Sequence, residues 1–390
     1  VFGSSLMAES ASAISGSALR SRLASTMRSA SPYSSVAVRD LASGSSLFNY
    51  KGTTGRAPAS VEKLYTTSTA LDKFGPSGKL KTEVLANGTV DAEGALDGDI
   101  YLRGGGDPTF SSTSITNLAR IVGAAGISLV KGRVYGDESL FDDRYGTIFT
   151  NFRPTGETGV LSALSYNRGY KGSSLTLAPA YYSAQRLRAA LIDAGIKVRG
   201  RASAQKVPES AKLIGSQPSP SIETLAKWTN QPSDNFYAEM LLKGVGAKFG
   251  GSGSTKAGAA IAMGFARATG ATPKITDGSG LSLQNKTSAE SMVKLLSGVS
   301  KNRKVAGSFD RSLAIVGQNG TLSGRMRGTA AQGRCHAKTG THDAVASLAG
   351  YCSTTGGRNV AFAILINATN VANGRAVIDR MVPQIATYSG

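Results

Sequence analysis

Only two of the 390 residues are cysteine, Cys335 and Cys352, and they flank two strand-like stretches, 335–341 and 345–352, with a short turn near His342 to Ala344 between them. Two such runs read as an antiparallel hairpin. Pairing Thr341 with Ala346 puts residue 335 opposite residue 352, a register in which a cross-strand disulfide is sterically reasonable. Such a bond commits the end of the chain to sheet and points to an oxidising, exported setting. The same hairpin argues against zinc: Cys335 and His336 are adjacent and face opposite sides of a strand, so they cannot converge on one ion. No metal and no cofactor is expected.

The rest of the chain alternates in character. Residues 4–30 carry a helical pattern, clearest in Leu19, Leu23 and Met27, and Val36 to Val38 and Leu47-Phe48 then read as two strands. Val61, Leu64, Tyr65, Leu71 and Phe74 recur at helical spacing until Gly75 and Pro76 stop them. Residues 76–221 change to short strands and glycine turns, ending in a linker with Pro218 and Pro220. Helical patterning resumes at Ile222–Trp228, Phe236–Leu242, Lys256–Thr269 and Ser288–Leu296, followed by the hairpin, a strand at Val360–Asn367 and a last helix from Gly374 to Tyr388. We therefore expect an α/β (α+β) protein in which 1–75 and 222–390 form one domain around an antiparallel sheet flanked by helices, and 76–221 is an inserted, β-rich accessory domain.

The net charge of +19 makes an anionic partner expected. The excess is spread thinly, without blocks of Lys and Arg and with little aromatic interleaving, so an anionic cell wall suits it as well as nucleic acid does. No apolar run approaches membrane-spanning length. The chain begins at Val1, as it would after removal of an export signal or in an expression fragment.

Chemistry concentrates at Ala57-Pro-Ala-Ser-Val-Glu-Lys-Leu64. Ser60 and Lys63, three residues apart, share one face of a helix, so the amine can reach the hydroxyl. Ser-x-x-Lys also begins at Ser128, Ser203 and Ser291, but the first two lack a helix and the third follows the other motifs. Lys63 can take a proton from Ser60 only where it is partly neutral, which calls for burial and a neighbouring cation. Lys338 is the candidate cation. It opens Lys338-Thr339-Gly340-Thr341, the only Lys-Thr-Gly in the sequence, on a strand whose glycine lets another chain approach and whose threonines can hold a carboxylate. Ser233-Asp234-Asn235, in a polar loop between two helices, is the third element. Together and in this order, the three form a signature of β-lactamases and penicillin-binding proteins.

With Tyr101-Leu-Arg-Gly-Gly-Gly-Asp-Pro108, Gly136-Asp-Glu-Ser-Leu-Phe-Asp142, Leu161-Ser-Ala-Leu-Ser165, Asp277-Gly-Ser-Gly-Leu-Ser282 and Asn319-Gly-Thr-Leu322 added, the chain resembles the class C type low-molecular-mass penicillin-binding proteins, D-alanyl-D-alanine carboxypeptidases and endopeptidases. The resemblance implies a penicillin-recognising fold and acyl transfer through Ser60, with Lys63 as base, Ser233 relaying a proton to the departing D-alanine and Asn235 orienting the substrate amide. It further implies that Lys338 supplies field, that Thr339 and Thr341 flank Gly340 to hold the terminal carboxylate, that the N–H groups of Ser60 and Thr341 form the oxyanion hole, and that Asp137 contributes from the insertion. Its partners would be peptidoglycan peptides and β-lactam antibiotics, not nucleic acid, in a secreted, periplasmic or wall-associated location. The chain departs from the pattern at Leu283, where many relatives carry Arg, and at His342 and Asp343.

Other readings remain. A class A β-lactamase needs a deacylating Glu, and between Asn235 and Lys338 only Glu239 and Glu290 are available, neither in a suitable loop. A catalytically idle wall-binding protein predicts no covalent adduct, and a basic nucleic-acid binder predicts steep salt dependence.

Overall fold

The computed structural model describes residues 13–390. The helical pattern expected over residues 4–30 is realised within them as α1 (Gly16–Met27), whose buried face is Leu19, Leu23 and Met27 and whose cap is Ser15; residues 4–12 lie outside the described part. β1 (Ser34–Asp40), β2 (Ser46–Tyr50) and α2 (Lys63–Phe74) follow.

The segment after α2 contains β3 (Lys81–Val90), β4 (Ala95–Arg103), α3 (Ser112–Ala124), β5 (Leu129–Val130), β6 (Val134–Asp137), β7 (Tyr170–Lys171) and β8 (Ser174–Leu175). It ends with α4 (Pro179–Asp193), β9 (Lys197–Val198), β10 (Ala202–Ala204) and β11 (Lys212–Pro218). These strands form their own sheet in the order β10-β6-β4-β3-β11, with β5 and β9 attached beside β4 and β7–β8 as a separate pair. Two helices, α3 and α4, cover it, a feature the turn-rich composition does not announce. Their apolar stripes are nevertheless regular: Ile115, Leu118, Ala119 and Val122 on α3 meet Ala184, Leu187 and Leu191 on α4 in one core.

The chain then runs through α5 (Ile222–Asn230), α6 (Asn235–Phe249), α7 (Thr255–Ala268), α8 (Ala289–Lys301) and α9 (Ala306–Ser312). It closes with β12 (Ala314–Ile315), β13 (Cys335–His342), β14 (Val345–Ser353), β15 (Asn359–Asn367) and α10 (Val371–Ala386). The second sheet, β12-β13-β14-β15-β1-β2, is antiparallel throughout. Its hairpin has the expected register, Thr341 opposite Ala346 and Cys335 opposite Cys352, and the two cysteines are joined.

This sheet is buried on both faces, which is why β15 reads as an unbroken apolar run. Ala361, Ala363 and Leu365 point to a core shared with α2 and α5 to α9, while Val360, Phe362, Ile364 and Ile366 point to one shared with α1 and α10. Helix α2 lies in the first of these cores and is buried along nearly its whole length, Lys63 to Leu71. Most of its buried hydroxyls are satisfied, Thr67 Oγ1 donating within the helix to Lys63 O at 2.8 Å and Thr66 Oγ1 across the core to Gly278 O at 2.8 Å. Among the described residues no helix is long and apolar enough to cross a membrane.

Candidate active site

Ser60 lies on a 3-10 turn, Ala59–Glu62, that runs directly into α2. The expected first helical turn is thus tighter than an α-helix, and it is entered through Ala59 in the left-handed region (φ 48°). Two glycines hold this turn by letting it approach. A β-carbon at residue 340 would sit 2.5 Å from the Pro58 carbonyl oxygen, and one at residue 280 would sit 2.0 Å from that of Ala59. Ser347 Oγ donates to the same Pro58 carbonyl at 3.0 Å. The close approach that Gly340 permits is therefore taken by the chain's own backbone.

Lys63 is fully buried, and its Nζ donates to Ser60 Oγ at 2.9 Å, Asn235 Oδ1 at 2.7 Å and Ser279 O at 2.6 Å. Two of those three partners are carbonyl oxygens, which can only accept. When the amine is neutral they keep its two hydrogens, and the lone pair faces the one partner able to donate, the Ser60 hydroxyl. Burial lowers the Lys63 pKa to about 8, against the opposing pull of Glu239, Asp277, Asp234 and Glu62. Desolvation is the largest cause of the Lys63 shift, and Lys338 is held well below the usual lysine range by burial first and by repulsion from the Lys63 ammonium second. Lys338 Nζ donates to Thr339 O at 2.8 Å.

Behind Lys63 sits a group of buried carboxylates. Glu239 accepts from the N–H groups of Gly278 and Ser279 at 3.0 and 2.8 Å, and Asp277 from those of Gly280 and Ser282 at 2.8 and 2.6 Å, which folds the loop that presents Ser279 O to Lys63. Burial, then Asp277, pushes Glu239 up to about 7. Glu62 is also raised well above the usual carboxylate range, again by burial first, and neither of its oxygens has a hydrogen-bond partner among the described residues.

Ser233 occupies the loop before α6 in a left-handed conformation (φ 68°), and Asp234 caps that helix by accepting from Tyr237 N at 3.0 Å. Ser60, Ser233, Thr339 and Thr341 line one cleft of about 350 Å³ with Thr321, Arg325 and Arg375. A larger cavity, about 610 Å³, lies between α8, α9 and the far ends of β14 and β15 and contains none of the three motifs. On its cleft side β13 is paired with β12 only at Ala337 and His336, so among the described residues 338–342 form an open strand edge. Val316 N donates to Cys335 O, and strand alternation then turns the backbone groups of Thr339 and Thr341 toward that edge.

Arg325 and Arg375 belong to no motif, and Thr321, within Asn319-Gly-Thr-Leu322, carries no assigned role in the sequence. Arg375 Nη2 donates to Thr341 Oγ1 at 3.0 Å, Arg325 is held by Asp379 at 2.5 Å, and Thr321 and Thr339 share a hydrogen bond of 2.8 Å. The Asn319-Gly-Thr-Leu322 stretch held the one available hint. Asp137 is not brought to the cleft: it is buried, and its carboxylate accepts from Ser139 N and Val207 N, both at 2.8 Å. At the rim, Phe149 meets His342 edge-on with ring centroids 5.4 Å apart, and Leu283 is 46% exposed.

Known proteins are similar to this one along nearly the whole chain. The D-alanyl-D-alanine carboxypeptidase of Actinomadura sp. (strain R39) is 28% identical over 442 aligned positions, covering 92% of this chain and 82% of that protein. Penicillin binding protein 4 of Haemophilus influenzae has the same fold, with a TM-score of 0.79 at 20% identity over 93% of this chain and 98% of that one. A penicillin G-acylated predatory endopeptidase of Bdellovibrio bacteriovorus superposes with a TM-score of 0.55 at 21% identity, covering 90% of each chain. The family description D-Ala-D-Ala carboxypeptidase 3 (S13) matches residues 19–148 and 164–388, and the chain belongs to that family of serine-type carboxypeptidases.

Proposed function

We propose that this chain removes the terminal D-alanine of peptidoglycan stem peptides, and opens related cross-links, through an acyl-enzyme on Ser60. The observation that carries the mechanism is the set of three acceptors around Lys63 Nζ, which aims its lone pair at Ser60 Oγ 2.9 Å away. The peptide adds as a strand along 338–342, and Thr339, Thr341 and Arg375 take its carboxylate. Neutral Lys63 accepts the Ser60 proton as Oγ bonds to the penultimate carbonyl carbon, and the N–H groups of Ser60 and Thr341 receive the oxyanion. Asn235 orients the substrate amide while it holds Lys63. Ser233 passes the proton to the departing nitrogen, the C–N bond breaks, D-alanine leaves, and water then releases the shortened peptide from Ser60.

The same steps open a β-lactam ring and leave the drug attached to Ser60. Neither Glu between Asn235 and Lys338 offers a base for rapid release: Glu239 faces the Gly278 and Ser279 amides, and Glu290 is paired with Arg39 and Asn49. The protein is thus a target of the drug, not an efficient hydrolase of it. We assign residues 1–75 and 222–390 to the catalytic domain and 76–221 to an insertion, an arrangement supported by the confinement of one sheet to 81–218. The disulfide favours an exported location, and the charge of +19 favours retention on an anionic wall. Intact-mass and peptide-mapping analysis after benzylpenicillin tests the reading: a single adduct on Ser60, absent in Ser60→Ala together with pentapeptide trimming, is expected, and an adduct elsewhere would overturn it.

A further inference from the structure

The loop carrying Ser233 is held by a residue that does not itself line the cleft. Arg168 lies between β6 and β7, and its guanidinium pairs with Asp234 Oδ2 while Asp234 Oδ1 caps α6. The same guanidinium lies over the rings of Phe236 and Tyr237, 5.2 and 5.3 Å from their centroids, so it touches three of the four side chains from Asp234 to Tyr237, all but Asn235. Ser233, immediately before Asp234, is in a left-handed conformation that a serine does not adopt without support from its neighbours.

Arg168 is itself anchored. Asn167 and Arg168 are both left-handed (φ 48° and 56°), Asn167 N donates to Phe110 O at 2.8 Å, and Arg168 O accepts from Val160 N at 2.9 Å. Just before them, Tyr166 is buried in the core of α3 and α4, edge-on to Phe110 and Tyr182. A second tie runs parallel to the first: fully buried Lys243 of α6 donates to Asp142 at 2.7 Å and to Leu161 O at 3.0 Å, above a small core of Phe141, Leu161, Ala163, Phe236 and Met240.

We infer that Arg168 is a positioning residue for the reaction: through Asp234 it fixes the backbone at Ser233, so that the segment between α2 and α5 sets the geometry of the proton relay. The inference rests on the relay role proposed for Ser233. A double-mutant cycle tests it, read as kcat and KM for D-alanine release from a D-Ala-D-Ala pentapeptide, with melting temperature recorded for each variant. Arg168→Ala should lower kcat by roughly tenfold or more with KM within about twofold, Arg168→Lys should recover part of the loss, and Arg168→Ala should add less than about twofold once Ser233 is alanine. Losses that multiply, or an unchanged kcat in Arg168→Ala, overturn the inference. Should Arg168→Ala not fold, Arg168→Lys and Arg168→Gln carry the same cycle. Undiminished kcat in Ser233→Ala refutes the relay role itself, a different outcome from a silent Arg168.

Discussion

The carbonyl oxygen of Pro58 occupies the space where residue 340 would carry a β-carbon, 2.5 Å from that position, so the nucleophile turn and the Lys-Thr-Gly strand are in backbone contact. Gly340→Ala must push them apart or displace β13. We predict a stability loss of about 1–3 kcal/mol from overpacking and a much larger proportional loss in the rate of acylation by benzylpenicillin. Denaturant melts and time-resolved intact mass measure the two; a variant acylated at the parent rate would show that the contact does not position Ser60.

Acylation should follow the neutral form of Lys63. Burial lowers its pKa to about 8, so the base is protonated below that pH and free above it. The expected profile of kcat/KM climbs about tenfold per pH unit below this value and levels off above it. A rate independent of pH between about 6 and 9 would remove Lys63 as the base.

Arg375 lines the cleft and donates to Thr341 Oγ1 from one of its nitrogens. A charge-assisted bond of this type contributes about 1.5–3 kcal/mol, so Arg375→Ala should raise KM by about tenfold or more for peptides ending in a carboxylate. The same variant should leave C-terminally amidated peptides unaffected. Equal losses on both substrates would place the arginine outside carboxylate recognition.

Cys335 and Cys352 are 17 residues apart in sequence, and opening a loop of that size costs about 3 kcal/mol of stability. Replacing both by alanine should lower the urea midpoint by the corresponding amount. Lys338 remains paired opposite Ala349 by the ladder itself, so kcat at low temperature should stay within about twofold. A large kcat loss in a fully folded variant would give the bond a role in the site.

What the sequence disclosed and what it hid divide along a physical line. Ser60 and Lys63 meet because three residues of a helical turn bring them together, and the Cys335–Cys352 register follows from the two-residue period of a strand; both are encoded within a few positions. Helices α3 and α4 were also encoded locally, but their stripes lie among many glycine turns and were read as part of a strand-rich segment. Arg325, Arg375 and Arg168 reach their places only through packing between distant elements, and a lone exposed arginine looks the same in sequence whether it faces water or a ligand. Asp137 shows the converse, a motif residue whose carboxylate is spent on two backbone amides. Burial of Lys63 follows from its task as a base, whereas the four carboxylates that oppose the shift are placed by the whole core and leave no local trace.

The interior of the main sheet joins β1 to β15, strands from distant parts of the sequence, and Ile14 is bonded to Thr387 and Ser389. A ribosome therefore delivers β1 and β2 long before their neighbour exists. The strands between 81 and 218 need no such wait and can assemble while translation continues. Until β15 emerges, the β1–β2 hairpin keeps an unpaired apolar edge, and the nucleophile's surroundings cannot be completed before that strand arrives.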